Sequence, residues 1–464
     1  MKRKTMVGKV LWTRKVLLAV FAAAALVLVM AAPPGTTDEG KDWIVISKSG
    51  LTPSSVAVPD FEFMNEAPEG DDIDRFLTHK MRNTINFTGL FEVKNPAEYP
   101  APLYDRGKPE LDPWQDLGVQ FLVRGVVADL GDGRYQIEIR CYDVNQERMV
   151  IGKRYTGEKD LLNRMVLRFV DEMIGWLHPN KGKGALDSRI AYVNDKSGRN
   201  EIHVMDTDGS HDRAVTANRT LNLLPSWSPH SRYIIYTGYQ ARNPDLYLAN
   251  LDKGKEYKLY GERGLNMAGE FSPDGSMVAF SRENSAGNMD IYIIGTDGRG
   301  LKRVTSAPSI EISPTWSPDG KLLAFVSDRS GSPQVYILDL TKGAESTRNQ
   351  AVRLTRQGSY NTSPAWSPDG KYIAYSGRVG GQFDLFLIIM SGGSASHVRR
   401  ITRTNADEEN PAWSTDSRFM IFNSNKYGNY DIFITSIYSG SPKRITTGRA
   451  NEKMPSWSSR IEID

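Results

Sequence analysis

Pro364-Ala-Trp-Ser-Pro-Asp-Gly370 is one version of a phrase that recurs through the second half of the chain, as PSWSPH around Trp227, GEFSPDG around Phe271, PTWSPDG around Trp316, PAWSTDS around Trp413 and PSWSS around Trp457. The anchor aromatics lie 44, 45, 50, 47 and 44 residues apart. Each of the first five is followed by a β-type run ending in an aromatic, at Tyr236, Phe280, Phe325, Tyr375 and Phe422. A second run then begins at Asp245, Asp290, Gln334, Asp384 and Asp431, and most units close on a basic-aliphatic-Thr string such as Arg303-Val-Thr or Arg400-Ile-Thr. Four short strands in about 45 residues are the pattern of a β-propeller blade. Ser-Pro-Asp-Gly supplies the tight turn, because proline presets one φ and glycine accepts a positive one. The recurrent tryptophan reads as a packing wedge between blades.

The ends of the repeat are out of phase. The first unit starts at Ser188-Arg-Ile-Ala-Tyr192 with no Pro-x-Trp-Ser ahead of it, and the last Pro-x-Trp-Ser, at 455–458, has no blade after it. Joined, the fragments complete a sixth blade. The fold expected is therefore mainly β: a six-bladed β-propeller over 187–464, closed by the C-terminal strand as the innermost strand of the first blade, which removes two open sheet edges.

Residues 42–178 do not share the period. Trp43-Ile-Val-Ile-Ser and Val56 to Phe63 read as strands, and 71–87 as a helix with Ile73, Phe76, Leu77 and Ile85 on one side. Gln120–Ala128 and Arg134–Val144 form a hairpin around Gly131-Asp-Gly133, 148–155 adds a strand, and 160–177 is amphipathic. This is a small N-terminal α/β domain. Cys141, in phase with Ile137 and Ile139, reads as a buried apolar filler. Residues 179–186 read as a flexible linker.

The chain has 464 residues, 58 basic against 55 acidic, one cysteine and six scattered histidines. A single cysteine excludes an intramolecular disulfide and a thiolate zinc cluster, and the small net charge gives no case for nucleic acid. No cofactor or metal is expected. Lys2, Arg3, Lys4, Lys9, Arg14 and Lys15, with no acid among them, precede the apolar run Val16–Ala32. That order reads as a secretory signal peptide, 1–31, cleaved near Ala31. Its seventeen apolar residues span about 26 Å as a helix, short of a bilayer core of about 30 Å. Without these six bases the remainder holds 52 basic and 55 acidic residues, a formal charge of −3. Segment 32–41 reads as a flexible mature N-terminus.

Catalytic patterns are weak. The peptidases that pair a propeller with an α/β-hydrolase domain need a Gly-x-Ser-x-Gly elbow, and Gly392-Gly-Ser-Ala-Ser396 fails its last position. A hydrolase or lyase acting on envelope glycan or peptide through carboxylates at the propeller mouth stands as the alternative function. One pattern rises above the rest: five residues before each anchor lie Asn222, Asn266, Glu311, Asn361, Glu408 and Glu452, always Asn or Glu. Leading into the innermost strands, they form a polar ring near one mouth of the channel. They either cap strand ends and loop amides or make a rim that receives a partner's polar loop or an ion.

An export signal, a small α/β domain and six PxWSPDG-type units closed by the C-terminus, with the strings Val56-Ala-Val-Pro-Asp-Phe61, Phe121-Leu-Val-Arg-Gly125 and Cys141-Tyr-Asp-Val144, resemble the TolB family of periplasmic Tol-Pal proteins. The segment Asn163 to Asp171 lacks a histidine frequent in that family, and two turns depart from it, at His230 and at Thr415-Asp-Ser417. The resemblance implies a non-enzymatic, monomeric periplasmic adaptor, held at the membrane only through its partners. Its propeller mouth would bind the peptidoglycan-associated lipoprotein Pal, and its mature N-terminus, here Pro33, Pro34, Asp38, Glu39 and Trp43, would bind TolA. Such an adaptor supports outer-membrane integrity and constriction at division.

Overall fold

The computed structural model describes residues 53–65, 72–100, 109–177, 184–342, 350–437 and 442–460. The expected signal peptide and mature N-terminus lie outside the described residues. Two units are present.

In the N-terminal unit a mixed sheet is built from β1 (Ser54–Ala57), β2 (Glu62–Phe63), β3 (Phe91–Val93), β4 (Phe121–Asp129), β5 (Arg134–Asp143) and β6 (Arg148–Glu158), in the order β3-β1-β4-β5-β6 with β2 also on β4. The run expected as one strand from Val56 to Phe63 is split in two. Pro59, with no N–H to donate, falls in the break. The break turns the Phe61 ring inward, onto Gly125 of β4: a Cβ at that glycine would lie 2.1 Å from the ring. Two of the strings that carry the family resemblance thus meet face to face.

Helix α1 (Ile73–Phe87) buries Ile73, Leu77, Met81 and Ile85, a clean i, i+4 stripe. Phe76, expected on this face, is instead 47% exposed, because it sits about one quarter-turn off the stripe. Between β3 and β4 lies a short helix, α2 (Asp112–Asp116), whose Trp114 packs with Leu122 and Tyr142. After β6, α3 (Leu162–Leu177) buries Val166, Phe169, Val170 and Met173. Ile137, Ile139 and Cys141 pair opposite Val127, Gly125 and Val123 and are fully buried. Burial raises the Cys141 thiol far above the ordinary thiol range, which makes it a filler and not a nucleophile. The Asp171 carboxylate of α3 is also fully buried, and accepts N–H bonds from Ala185, Leu186 and Asp187 at 2.9–3.0 Å. This end of the segment expected as a flexible linker is therefore pinned.

The second unit is a ring of six four-stranded antiparallel sheets. Five blades are continuous in sequence, starting at Asn222, Asn266, Glu311, Asn361 and Glu408; these are blades 2 to 6. Blade 1 joins the C-terminal strand Glu452–Trp457 to Arg189–Asn194, Glu201–Asp206 and Arg213–Ala214, in that order from the inside. The pairing runs Glu452↔Asn194 to Trp457↔Ile190, the closure anticipated from the out-of-phase ends. The aromatics expected to end each second strand, Tyr236, Phe280, Phe325, Tyr375 and Phe422, are instead its fourth residue; at most 2% exposed, they fill the space between sheets. Tryptophans span three seams: the indole N–H of Trp227 donates to Ser456 O at 3.2 Å, that of Trp316 to Glu270 O at 3.3 Å and that of Trp413 to Ala365 O at 3.0 Å. Trp366 differs: half-buried, it turns its N–H to Gly370 of its own turn.

Among the described residues no helix is long and apolar enough to cross a membrane, and no group of three His, Cys, Asp or Glu is placed to hold a metal ion.

Candidate functional site: the channel mouth and the blade latches

Every innermost strand opens on one of the six ring residues, so the six do share one end of the channel. They are not a solvent-facing rim. Asn222, Asn266, Glu311, Asn361, Glu408 and Glu452 are each 4% exposed or less, because the start of an inner strand places its side chain in the seam against the preceding blade. The three asparagines there hydrogen-bond the residue that opens that blade's third strand. Asn222 donates to Glu201 Oε2 at 2.9 Å and Asn361 to Gln334 Oε1 at 2.8 Å. Asn266 reaches Asp245 Oδ1 at 3.4 Å and the Glu262 carbonyl at 2.7 Å. Glu408 accepts from Thr404 at 2.5 Å and Ser424 at 3.1 Å, Glu452 accepts from Asn194 at 3.2 Å, and Glu311 pairs with Arg329. The arrangement caps loops and ties blade to blade.

In four of the six blades a second lock stands behind the seam, whose halves are visible in sequence only as separate strings. The basic residue of the outer strand pairs with an acid among the first three residues of the third strand: Lys258 with Asp245 at 2.7 Å, Arg303 with Asp290 at 2.7 Å, Arg400 with Asp384 at 2.6 Å and Arg444 with Asp431 at 2.8 Å. In three of the four the spacing is 13 residues, a regularity that would have exposed the pairing. The threonine two places beyond the basic residue then accepts the next N–H of the third strand, from Ile291, Leu385 and Ile432, each at 2.9 Å.

Ring carboxylates at three seams face lock acids: Glu311 toward Asp290, Glu408 toward Asp384 and Glu452 toward Asp431. Burial first, and the neighbouring acid after it, push the Glu408 and Glu452 carboxyls up to about 7, and Glu311 moves the same way.

The channel wall is made by the residues just beyond the ring. Two residues into each inner strand, Leu224, Ala268, Ser313, Ser363, Asn410 and Met454 all adopt positive φ, between 50° and 57°. At that point the ladder slips, with register shifts at Leu223/Ser226 and its five counterparts. A β-bulge explains why Pro225, Pro314, Pro364, Pro411 and Pro455 are tolerated in what would otherwise be central strands: at a bulge no ladder N–H is needed. The N–H groups freed by the bulge cross the seam, from Ala268 to Thr237 Oγ1, Ser313 to Ser281 Oγ, Asn410 to Ser376 Oγ and Met454 to Asn423 Oδ1, at 3.1–3.2 Å. These bulges and their prolines line an axial cavity of about 130 Å³. Glu270 joins its wall, accepting from Thr315 and the Trp316 N–H, and burial pushes its carboxyl up to about 7.

The candidate N-terminal contacts Pro33, Pro34, Asp38, Glu39 and Trp43 lie outside the described residues.

Known proteins repeat this organisation in the same order. The family model for the TolB amino-terminal domain matches residues 43–150, and that for the TolB beta propeller domain matches 180–397 and 354–463. Curated Tol-Pal system proteins TolB are 31% identical over 250 residues (Desulfosudis oleivorans; 53% of this chain, 56% of that one) and 32% over 219 residues (Syntrophus aciditrophicus; 46% and 48%). The matched stretches thus span about half the length of these relatives. The crystal structure of TolB from Acinetobacter baumannii superposes with a TM-score of 0.74 at 25% identity, covering 88% of this chain and 96% of that one. With both of its domains matched in order and most of its length superposed, the chain belongs to the TolB family.

Proposed function

We propose that this protein is a non-enzymatic periplasmic adaptor of the Tol-Pal system, exported with a cleaved signal peptide. Its propeller mouth binds the peptidoglycan-associated lipoprotein, and its mature N-terminus, through Pro33, Pro34, Asp38, Glu39 and Trp43, adds to the sheet edge of TolA. The observation that carries the reading is the family match across both domains in one chain.

The channel mouth supports it physically. Six side chains beneath the mouth hold the loops that surround it, and the bulged strands present a rigid backbone ring above a narrow cavity. A pre-ordered surface of this kind loses little entropy when a partner loop settles on it. In this reading Asn222, Asn266, Glu311, Asn361, Glu408 and Glu452 act on binding by positioning loops, and a partner's loop need not touch them.

Capture of the soluble Pal domain by the mature chain, followed by calorimetry, tests the proposal. Saturable one-to-one binding is expected, lost neither on removal of residues 32–43 nor in high salt. Removal of those residues should abolish TolA binding alone. Absence of Pal binding by the intact mature chain would overturn the adaptor reading.

A further inference from the structure

The lock that neutralises the basic residue of the outer strand forms in blades 2, 3, 5 and 6, and in blade 4 its acid is missing. In blade 4 the lock position on the third strand is Gln334, where blades 2, 3, 5 and 6 have Asp245, Asp290, Asp384 and Asp431. The Gln334 amide keeps the seam intact, accepting from Thr355 and Asn361 at 2.8 Å each, but it brings no charge to Arg353. Arg353 donates only its Nε, to the Thr355 carbonyl, and among the described residues its terminal nitrogens meet no acceptor.

The adjoining blade 5 lacks a second carboxylate. In blades 1 and 2 the tyrosine on the second strand gives its hydroxyl to an acid, Tyr192 to Asp212 at 2.6 Å and Tyr236 to Glu256 at 2.7 Å. Glu256 stands opposite Ala249, the fifth residue of its blade's third strand counted from Asp245. Counted likewise from Asp384, Ile388 of blade 5 stands opposite Val398. Tyr375 therefore stays only 2% exposed with a hydroxyl that has no hydrogen-bond partner among the described residues.

Both of these uncompensated groups open on one cavity of about 510 Å³ between blades 4 and 5. Arg353, Arg356, Tyr375, Ser396 and His397 line it, and among the described residues no Asp or Glu does. Arg356 is exposed and makes no ion pair among the described residues. The volume is that of a small-molecule site. Guanidinium forks match the paired oxygens of carboxylate and phosphate, and a hydroxyl supplies a further donor.

We infer that this cavity is an oxyanion site, taking the carboxylate or phosphate monoester of a small molecule between Arg353 and Arg356, with the Tyr375 hydroxyl as a further donor. The site shares no residue with the ring at the channel mouth or with the axial cavity, and it does not depend on the adaptor reading.

The test is calorimetric titration of the mature chain with inorganic phosphate, glucose 6-phosphate and glucuronate, with neutral glucose as control. At least one anion should bind with a dissociation constant at or below about 1 mM, and glucose should not. The ranking of the three separates phosphate from carboxylate recognition. Gln334→Asp, which restores the residue that four other blades carry, should weaken binding at least tenfold while the melting temperature holds or rises. Arg356→Gln, at an exposed position, should weaken it similarly. Failure of all three anions to bind, or unchanged binding in both variants, would overturn the assignment.

Discussion

Ser231 and Ser417 show how a departure from the repeat is absorbed. In the regular turns Gly275, Gly320 and Gly370 take φ of 70° to 74°, as Ser-Pro-Asp-Gly requires. Where the glycine is missing, Ser231 and Ser417 adopt the same left-handed conformation, at 55° and 59°. Each serine gains a contact across the seam that glycine could not make: Ser231 Oγ meets Ser459, and Ser417 Oγ accepts the Asp369 N–H at 2.9 Å. At Gly320 a Cβ would meet nothing within 4 Å, so a substitution there reports the backbone alone. Gly320→Ala should lower ring stability by about 1–2 kcal/mol, measured by urea unfolding.

Glu408 carries the pH dependence at this scale. Its folded carboxyl is raised to about 7 from an ordinary 4.5, so between these values the folded chain holds a proton that the unfolded chain releases. Stability must then fall as pH rises through that window. Glu408→Gln keeps an acceptor for Thr404 without the charge. It should reduce the loss and raise stability above pH 7 by on the order of 1–3 kcal/mol, seen as a melting temperature that drops less across the window than in the parent chain, with Glu452 and Glu270 contributing to the remainder.

At the scale of elements, closure is the decisive pairing. Strand Glu452–Trp457 brings Met454 and Trp457, 5% and 7% exposed, into the ring, and its Ser456 carbonyl receives the Trp227 indole. Its Glu452 and the preceding Asn451 bond Asn194 and Asp195. Removing residues 451–464 should therefore lower the melting temperature of the ring by more than about 10 °C, as a single shifted transition. A merely frayed edge would leave it nearly unmoved. The same scale shows where periodicity misleads: Phe76 fits a hydrophobic count but misses the i, i+4 stripe of Ile73, Leu77, Met81 and Ile85, and stays exposed.

For the whole molecule, the number of blades, their four strands, the closure and the separate N-terminal α/β unit were legible because each follows from a local period or from an interruption of one. Strands, turns and wedge aromatics repeat every 44 to 50 residues, and no long-range information is needed to count them. The positions of the six ring residues were legible for the same reason. Their environment was not, since burial depends on the neighbouring blade. Only the packed ring shows that Asn222 and its counterparts lie in the seams and that the inner strands bulge around the channel. Local periodicity was enough to set the repeat and therefore the architecture. Which charges are neutralised and which are left over is settled by packing, because the partners stand on different strands of a blade, joined by loops of unequal length: Gln334 and Val398 look like ordinary variation until their absent carboxylates leave Arg353 and Tyr375 facing the same cavity.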